Sequence, residues 1–144
     1  MRPVSGTAPT APAVEHLDVG HIGGEAYEIR VRGHRVRVDQ PATVGGDDSA
    51  PTPTELFVAS LAGCVAFYAG RYLRRHGVSP EALTVHADFE MATERPARVA
   101  VVRLTVGVPQ ALPAERYPAL AAVAAHCTVH NSLSTPPEVD ITLE

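Results

Sequence analysis

The sequence predicts an α+β fold with the element order β-β-β-α-β-β-α-β. Three observations support it: short alternating segments near the start, one long apolar segment in the middle, and further alternating segments in the second half. The 144 residues are enough for one domain, and 45% hydrophobic residues are enough to build its core. We expect a single domain over residues 15–144, preceded by a disordered tail over residues 1–14 that holds three prolines.

The first three strands are indicated by strict polar–apolar alternation and short turn signals. The segments are His16–Ile22, Tyr27–Arg32 and Arg35–Asp39, separated by Gly23-Gly24 and Gly33-His34. Short turns between alternating segments predict an antiparallel meander with one solvated face. That face is rich in arginine: Arg30, Arg32, Arg35 and Arg37.

A long central helix begins at a strong N-terminal signal. Thr52 at the N-cap, Pro53 at the first helical position and Glu55 at the third form a capping-box pattern. Apolar residues continue on all sides, so we expect the helix to be enclosed by protein. The apolar run Leu56–Gly70 has 15 residues, fewer than the roughly 20 of a spanning helix. Gly63 costs roughly 1 kcal/mol relative to alanine, which suggests a close approach to the backbone there.

The second half of the chain predicts a hairpin, two helical segments and a terminal strand. A hairpin should join two alternating segments across residues 92–98, and a helix should follow it, with Pro118 near its start. The predicted elements are strands Leu83–Glu90 and Val99–Val108, helix Pro113–His126, a short helical or turn segment Cys127–Leu133, and strand Val139–Leu143.

Charge and cysteine content exclude several functional classes. Twelve arginines, no lysine and 16 acidic residues give a net charge of -4, which argues against a general nucleic-acid or anionic-membrane binder. Two cysteines cannot form a disulfide-rich scaffold. Without a visible export signal, these thiols favour the cytoplasm. We expect no cofactor and no metal, since the adjacent His126 and Cys127 cannot both face one ion from a helix.

The two cysteines are the candidate reactive groups, although each has an ordinary structural interpretation. Cys64 could be a small core residue in mid-helix, where any activation of its thiol needs a nearby cation, and Cys127 could simply end a helix. A disulfide between them requires Cα atoms within about 7 Å. A cysteine hydrolase using His126 or His130 is a further alternative, but no Asp or Asn that would orient the histidine is evident.

Glu55 also has two interpretations. It could be only the third residue of the capping box, or its carboxylate could hold an arginine that reaches Cys64, which lies nine residues later. The sequence does not choose among Arg30, Arg32, Arg35 and Arg37 as that arginine.

Two segments of the sequence stand out as motifs around the cysteines. The first consists of Val38-Asp39-Gln40-Pro41, Gly45-Gly46, and Pro51–Leu56 leading into Leu61-Ala62-Gly63-Cys64. The second is Cys127-Thr128-Val129-His130-Asn131-Ser132-Leu133. Together they resemble the OsmC/Ohr family, the osmotically inducible protein C-like and organic hydroperoxide resistance proteins. The family usually has Pro at the position of Thr128, and its hydroperoxide-resistance branch has Glu at the position of Thr54. The chain is therefore closer to the OsmC-like branch.

The resemblance implies an intertwined homodimer and thiol peroxidase chemistry. Cys64 would be the peroxidatic and Cys127 the resolving cysteine, and an Arg–Glu pair, with Glu55 and Arg37 as candidates, would polarise the first thiol. The substrate would be a small organic hydroperoxide and the reductant an external dithiol, such as a lipoyl-type dithiol. The alternative is a non-enzymatic or redox-sensing dimer that binds an apolar ligand at the same cleft.

Overall fold

The computed structural model describes residues 13–144. Residues 1–12 of the expected tail lie outside the described residues. The chain forms two compact units, one ending at Thr52 and the other comprising Pro53–Glu144. Together they have the predicted α+β composition, with two small antiparallel sheets and three α-helices among the described residues.

The first unit is the predicted meander. Strands β1 (Asp18–Gly23), β2 (Ala26–Val31) and β3 (His34–Val38) form an antiparallel sheet in the order β1-β2-β3. The second turn begins at Arg32, one residue earlier than predicted, and the φ of Arg32 is 52°. The prediction that Arg32 belongs to the strand and shares its face with Arg30 is therefore wrong, because a residue in the turn leaves the strand period.

A buried carboxylate organises the loop that follows β3. Asp39 is 1% exposed, and its oxygens accept hydrogen bonds from Gln40 N at 2.7 Å, Ser49 N at 3.0 Å and Ser49 Oγ at 2.6 Å. The loop also folds tightly on itself, since a Cβ at Gly46 would lie 2.0 Å from Gln40 O. Hydrogen bonds from Ser49, its hydroxyl above all, lower the pKa of the Asp39 carboxyl. Asp39 therefore closes this loop as an ionised group.

We expect the first unit to lose stability in acid through Asp39. The folded-state pKa is lowered, so the stabilisation is complete above the unfolded value of about 3.9 and is lost as pH falls through the lower folded value. Asp39→Asn should lower stability at neutral pH and flatten its dependence between pH 5 and the acid limit, about the range over which such a group titrates. Urea unfolding at a series of pH values, followed by the NMR signals of residues in β1–β3, measures both the stability of the first unit and its pH dependence. Asp47→Asn is the matched control, and an unchanged pH dependence in Asp39→Asn would contradict the assignment.

The second unit contains the central helix and the predicted hairpin. The hairpin is confirmed, with Val85 opposite Val106 and Phe89 opposite Val102. A short 3-10 helix over Ala114–Arg116 precedes the regular helix, which therefore begins four residues later than predicted and has Pro118 in its first turn. The elements are α1 (Pro53–Arg75), β4 (Thr84–Met91), β5 (Val99–Gly107), α2 (Tyr117–Ala125) and α3 (Thr128–Ser134).

Helix α1 supplies half of the buried hydrophobic residues but is not enclosed on all sides, contrary to the prediction. Its buried residues lie along one side and include Leu61, Val65 and Leu73. Its other side is exposed: Phe57 is 42% and Phe67 54% exposed. No described atom outside the helix comes within 4 Å of a Cβ built on Gly63, so the close approach expected there is absent within one chain.

Helix α1 is also longer than the apolar run indicated. It has 23 residues with a mean hydropathy of 1.5 in its most apolar window, which is long and apolar enough to cross a membrane. The prediction that this helix is too short to span a membrane, made from the 15-residue apolar run, is therefore wrong with respect to length. Several of its buried residues, among them Leu61, Val65 and Leu73, pack in clusters with residues of the hairpin and α2, so within this fold α1 serves as a core helix.

The predicted terminal strand is absent. Residues 135–144 form no helix or strand, and the apolar side chains of that segment lie in solvent: Val139 is 73%, Ile141 86% and Leu143 91% exposed. An alternating segment becomes a strand only where a sheet edge offers hydrogen-bond partners. No such edge within the described chain pairs with these residues.

Candidate active site

The fold brings the two cysteines together. Cys64 lies half-buried in the fourth turn of α1, and Cys127 is fully buried immediately before α3. Cys127 belongs to a buried cluster with Leu61, Val65 and Ala124, and Cys64 packs against that cluster. Both are free thiols. The arrangement places two thiols against one another in an otherwise apolar setting.

Backbone N–H groups of α3 point at both sulfurs. Val129 N donates to Cys64 Sγ at 3.5 Å, and His130 N donates to Cys127 Sγ at 3.4 Å. The second bond makes Cys127 the N-cap of α3. Hydrogen bonds donated to sulfur favour its thiolate form. Cys64, which lacks the N-terminal dipole of its own helix, thus receives a donor from another helix.

The environment of Cys127 favours its protonated form. Burial is the main cause that raises the pKa of the Cys127 thiol, and the neighbouring Cys64 side chain raises it further. The His130 N–H opposes this shift by lowering the pKa. Cys127 is therefore a buried, protonated thiol at neutral pH, whereas Cys64 is the partly exposed member of the pair.

A tyrosine–threonine contact flanks the pair and was not predicted. Tyr68, one turn after Cys64 on α1, hydrogen-bonds through its hydroxyl to Thr128 Oγ1 at 2.7 Å. Thr128 is the residue that departs from the family pattern, and a proline there would lack this oxygen. The sequence showed only that a residue with a hydroxyl group follows Cys127, and it did not indicate that Tyr68 would be the hydrogen-bond partner of this hydroxyl. The contact links α1 to the start of α3 on the Cys64 side.

The two histidines near Cys127 bond to backbone rather than to sulfur. His126 Nδ1 lies 2.7 Å from Ala122 O, and His130 Nδ1 lies 2.5 Å from Ala125 O. These bonds engage only Nδ1, and neither ring hydrogen-bonds to a cysteine sulfur among the described residues. The cysteine hydrolase alternative therefore lacks the contact between base and nucleophile that it needs. Within residues 13–144, no group of three His, Cys, Asp or Glu side chains could hold a metal ion.

The candidate arginines lie in the first unit, where a carboxylate not foreseen from the sequence contacts two of them. Glu28 on β2 is 6% exposed and lies 3.5 Å from Arg35 Nη1 and 3.7 Å from Arg37 Nε. Arg37 is directly opposite Glu28 in the sheet register, a cross-strand pairing that could have been found from the meander alone. Glu55 lies, exposed, in the first turn of α1.

Comparisons with known proteins identify the family and the fold of the chain. The family model described as OsmC-like protein matches residues 46–142. A search of curated proteins found no significant match.

Solved structures share the fold at low sequence identity. An osmotic stress induced and detoxification response protein from Psychrobacter arcticus is 22% identical, with a TM-score of 0.76 over 85% of this chain and 90% of that one. An organic hydroperoxide resistance protein from Legionella pneumophila is 20% identical, with a TM-score of 0.55 over 85% and 91%. One from Vibrio cholerae, with captopril bound in one of its active sites, is 18% identical, with a TM-score of 0.62 over 92% of both chains. With its two thiols meeting at the start of α3 and the family match covering both, this chain belongs to the OsmC-like protein family.

Proposed function

We propose that this protein is a thiol peroxidase that reduces organic hydroperoxides through Cys64 and Cys127. The observation that carries the proposal is the contact between a partly exposed thiol and a fully buried one, each with a backbone N–H donated to its sulfur. The difference in exposure between the two thiols suits two different roles in the reaction. The accessible sulfur can meet a peroxide, and the buried sulfur can reach only its neighbour.

The reaction has two steps on the protein. The Cys64 thiolate attacks the distal oxygen of the hydroperoxide, the O–O bond breaks, and the products are a sulfenic acid on Cys64 and, after protonation, an alcohol. The Cys127 thiol then attacks the sulfenic sulfur. A disulfide forms, and the displaced hydroxide leaves as water with the Cys127 proton. An external dithiol, such as a lipoyl-type dithiol, restores both thiols by exchange and becomes a disulfide itself.

The raised pKa of Cys127 fits this order of events. A buried thiol that stays protonated competes poorly with Cys64 for the peroxide, since the thiolate is the nucleophile. It becomes reactive when the sulfenic acid forms beside it. The proposal also retains Glu55 and a strand arginine, Arg37 first, as the pair that polarises Cys64. We expect the cycle to run in the cytoplasm, where both thiols are kept reduced.

Disulfide formation tests the proposal directly. Mass spectrometry after one equivalent of cumene hydroperoxide should show the loss of two hydrogens and a peptide linked through Cys64 and Cys127. A sulfenic or sulfinic acid that remains on Cys64 would contradict the resolving role of Cys127. An unchanged chain would contradict the peroxidase proposal and favour the non-enzymatic dimer that binds an apolar ligand.

Glu55→Gln distinguishes the helix cap from the positioning residue. Gln can also close a capping box, so only a charge–dipole contribution of about 0.3–1 kcal/mol is lost and the melting temperature should change little. We expect alkylation of Cys64 at neutral pH, measured in a Cys127→Ser background, to slow severalfold because the arginine is no longer held. Glu81→Gln is the control, because Glu81 lies in the first turn of the short 3-10 helix Pro80–Ala82, away from the cysteines in the chain. If neither the rate nor the melting temperature changes, Glu55 has no role at the site.

A further inference from the structure

One side-chain hydrogen bond ties α3 to α1 beside Cys64, and the two reaction steps above do not use it. The Tyr68 hydroxyl lies 2.7 Å from Thr128 Oγ1. Tyr68 follows Cys64 by four residues, so the two side chains lie on the same face of α1, one turn apart. Thr128 is the first residue of α3 and directly precedes Val129. The bond therefore ends one residue before the N–H group that contacts the Cys64 sulfur.

The first turn of α3 is thus attached to α1 at two neighbouring points. Val129 N donates to Cys64 Sγ at 3.5 Å, and the bond between Tyr68 and Thr128 holds the residue before it. Cys64, Tyr68 and Val129 also pack against the same buried cluster around Cys127. This packing places the tyrosine ring, and the hydroxyl at its end carries the link to α3. The N–H contact is the longer of the two, so it depends on how firmly the start of α3 is held.

We propose that Tyr68 is a positioning residue for Cys64: by holding Thr128, it keeps the Val129 N–H against the Cys64 sulfur. A hydrogen bond donated to sulfur favours the thiolate, and the thiolate is the nucleophile. Tyr68 acts through α3 rather than on a substrate. The inference deepens the proposed function, because only a reaction at Cys64 gives this arrangement a purpose.

The ionisable groups that face Cys64 belong to other contacts. Cys127 presents a protonated thiol to it, and His126 and His130 bond through Nδ1 to backbone carbonyls. Arg71, two turns later on α1, lies 5.5 Å from the centre of an aromatic ring. Strands β4 and β5 turn apolar side chains toward the cluster, and their ionisable side chains alternate onto the other face: His86, Asp88, Glu90 and Arg103. None of these groups forms the link, so a change at Tyr68 leaves their own contacts in place.

Tyr68→Phe tests the role of the hydroxyl, because it keeps the ring and its packing. The measurement is the alkylation rate of Cys64 by iodoacetamide in a Cys127→Ser background, in which serine can still cap α3. At neutral pH we expect the rate to fall about two- to tenfold, which is the worth of one net hydrogen bond. At about pH 9.5, where an ordinary thiol is mostly ionised, the rate should be nearly unchanged. A loss of access alone would slow both rates equally.

Variants of Thr128 show whether the two hydroxyls act together. Thr128→Val keeps the branched shape but removes the hydroxyl, so it should slow alkylation at neutral pH as much as Tyr68→Phe does. The double variant should be no slower than either single variant, since both changes remove the same bond. Thr128→Ser restores the oxygen and should alkylate at the wild-type rate.

Two controls separate this link from general loosening of the helices. Tyr72→Phe removes a hydroxyl one turn further along α1, from a residue that packs in the other buried cluster. Ser132→Ala removes a bond within α3, since Ser132 Oγ donates to Thr128 O at 2.9 Å. Both should leave alkylation of Cys64 unchanged at either pH.

The proposal is overturned if Tyr68→Phe leaves the neutral rate unchanged, if it slows both rates equally, or if Thr128→Ser is as slow as Thr128→Val. A fall in the melting temperature without a change in rate would make the bond a clasp between helices and nothing more. Because iodoacetamide is not a peroxide, the result is independent of turnover. The positioning role can fail while Cys64 still reduces hydroperoxides, and the expected rates can be found in a protein that reduces none.

Discussion

Cys64→Ser should lower the consumption of cumene hydroperoxide by roughly a hundredfold or more, because a serine hydroxyl without an adjacent base is a poor nucleophile. Cys127→Ser should behave differently. Its Cys64 can still react once, so we expect about one equivalent of peroxide to be consumed per chain, followed by a halt. The Cys64 sulfenic acid should then accumulate, since no thiol remains beside it to form the disulfide.

Consumption measured with an excess dithiol, together with trapping of the sulfenic acid by dimedone, separates the two variants. Ser60→Ala is the matched control: it lies one turn before Cys64 on α1, and its hydroxyl only bonds to Phe57 O at 2.7 Å. Full turnover in Cys64→Ser would assign the nucleophile to another group, and sustained turnover in Cys127→Ser would show that the external dithiol alone resolves the sulfenic acid.

Local signals in the sequence were sufficient for the elements whose partners lie nearby in the chain. The meander, the β4–β5 hairpin and the start of α1 depend on alternation, short turns and the Thr52-Pro53 signal, and the structure confirms them. The error at Arg32 is a one-residue shift of a turn. This small shift still removes Arg32 from the sheet face to which it was assigned, because the side-chain direction in a strand depends on every single residue of the register.

Tertiary contacts between distant segments were beyond the sequence. The approach of Cys64 to Cys127 was expected only through the family resemblance, since nothing in the alternation of either segment specifies it. The burial of Glu28 and the bond between Tyr68 and Thr128 likewise depend on how elements pack. A polar residue of a strand or helix is assigned to the surface by pattern alone, and only the assembled structure shows its partner.

The predictions about α1 and the C-terminal segment failed in the same way. Each assigned apolar residues to the interior, and in each case the described chain leaves them exposed: Phe67 at 54% and Ile141 at 86%. Gly63 lies on the uncovered side of α1, where a second helix could approach its backbone. Contiguous exposed apolar surface of this kind is typical of an interaction site, and an unpaired alternating segment needs a sheet edge. A second copy of the chain would supply both a helix that covers the exposed side of α1 and a sheet edge that pairs with the C-terminal segment.

We therefore expect a homodimer at low micromolar concentration, with a sedimentation mass near twice 15.2 kDa. Phe67→Glu should raise the dimer dissociation constant by at least about tenfold, because association would take out of water a carboxylate that Arg71, one turn later on α1, neutralises only in part. Deletion of residues 136–144 should also weaken the dimer, since it removes the exposed apolar side chains of Val139, Ile141 and Leu143. Thr93→Glu, in the hairpin loop where Glu94 already pairs with Arg98, is the control and should leave the dimer intact. A wild-type monomer with native circular dichroism at these concentrations would refute the dimer, and with it the explanation of why α1 and the C-terminal segment are exposed in a single chain.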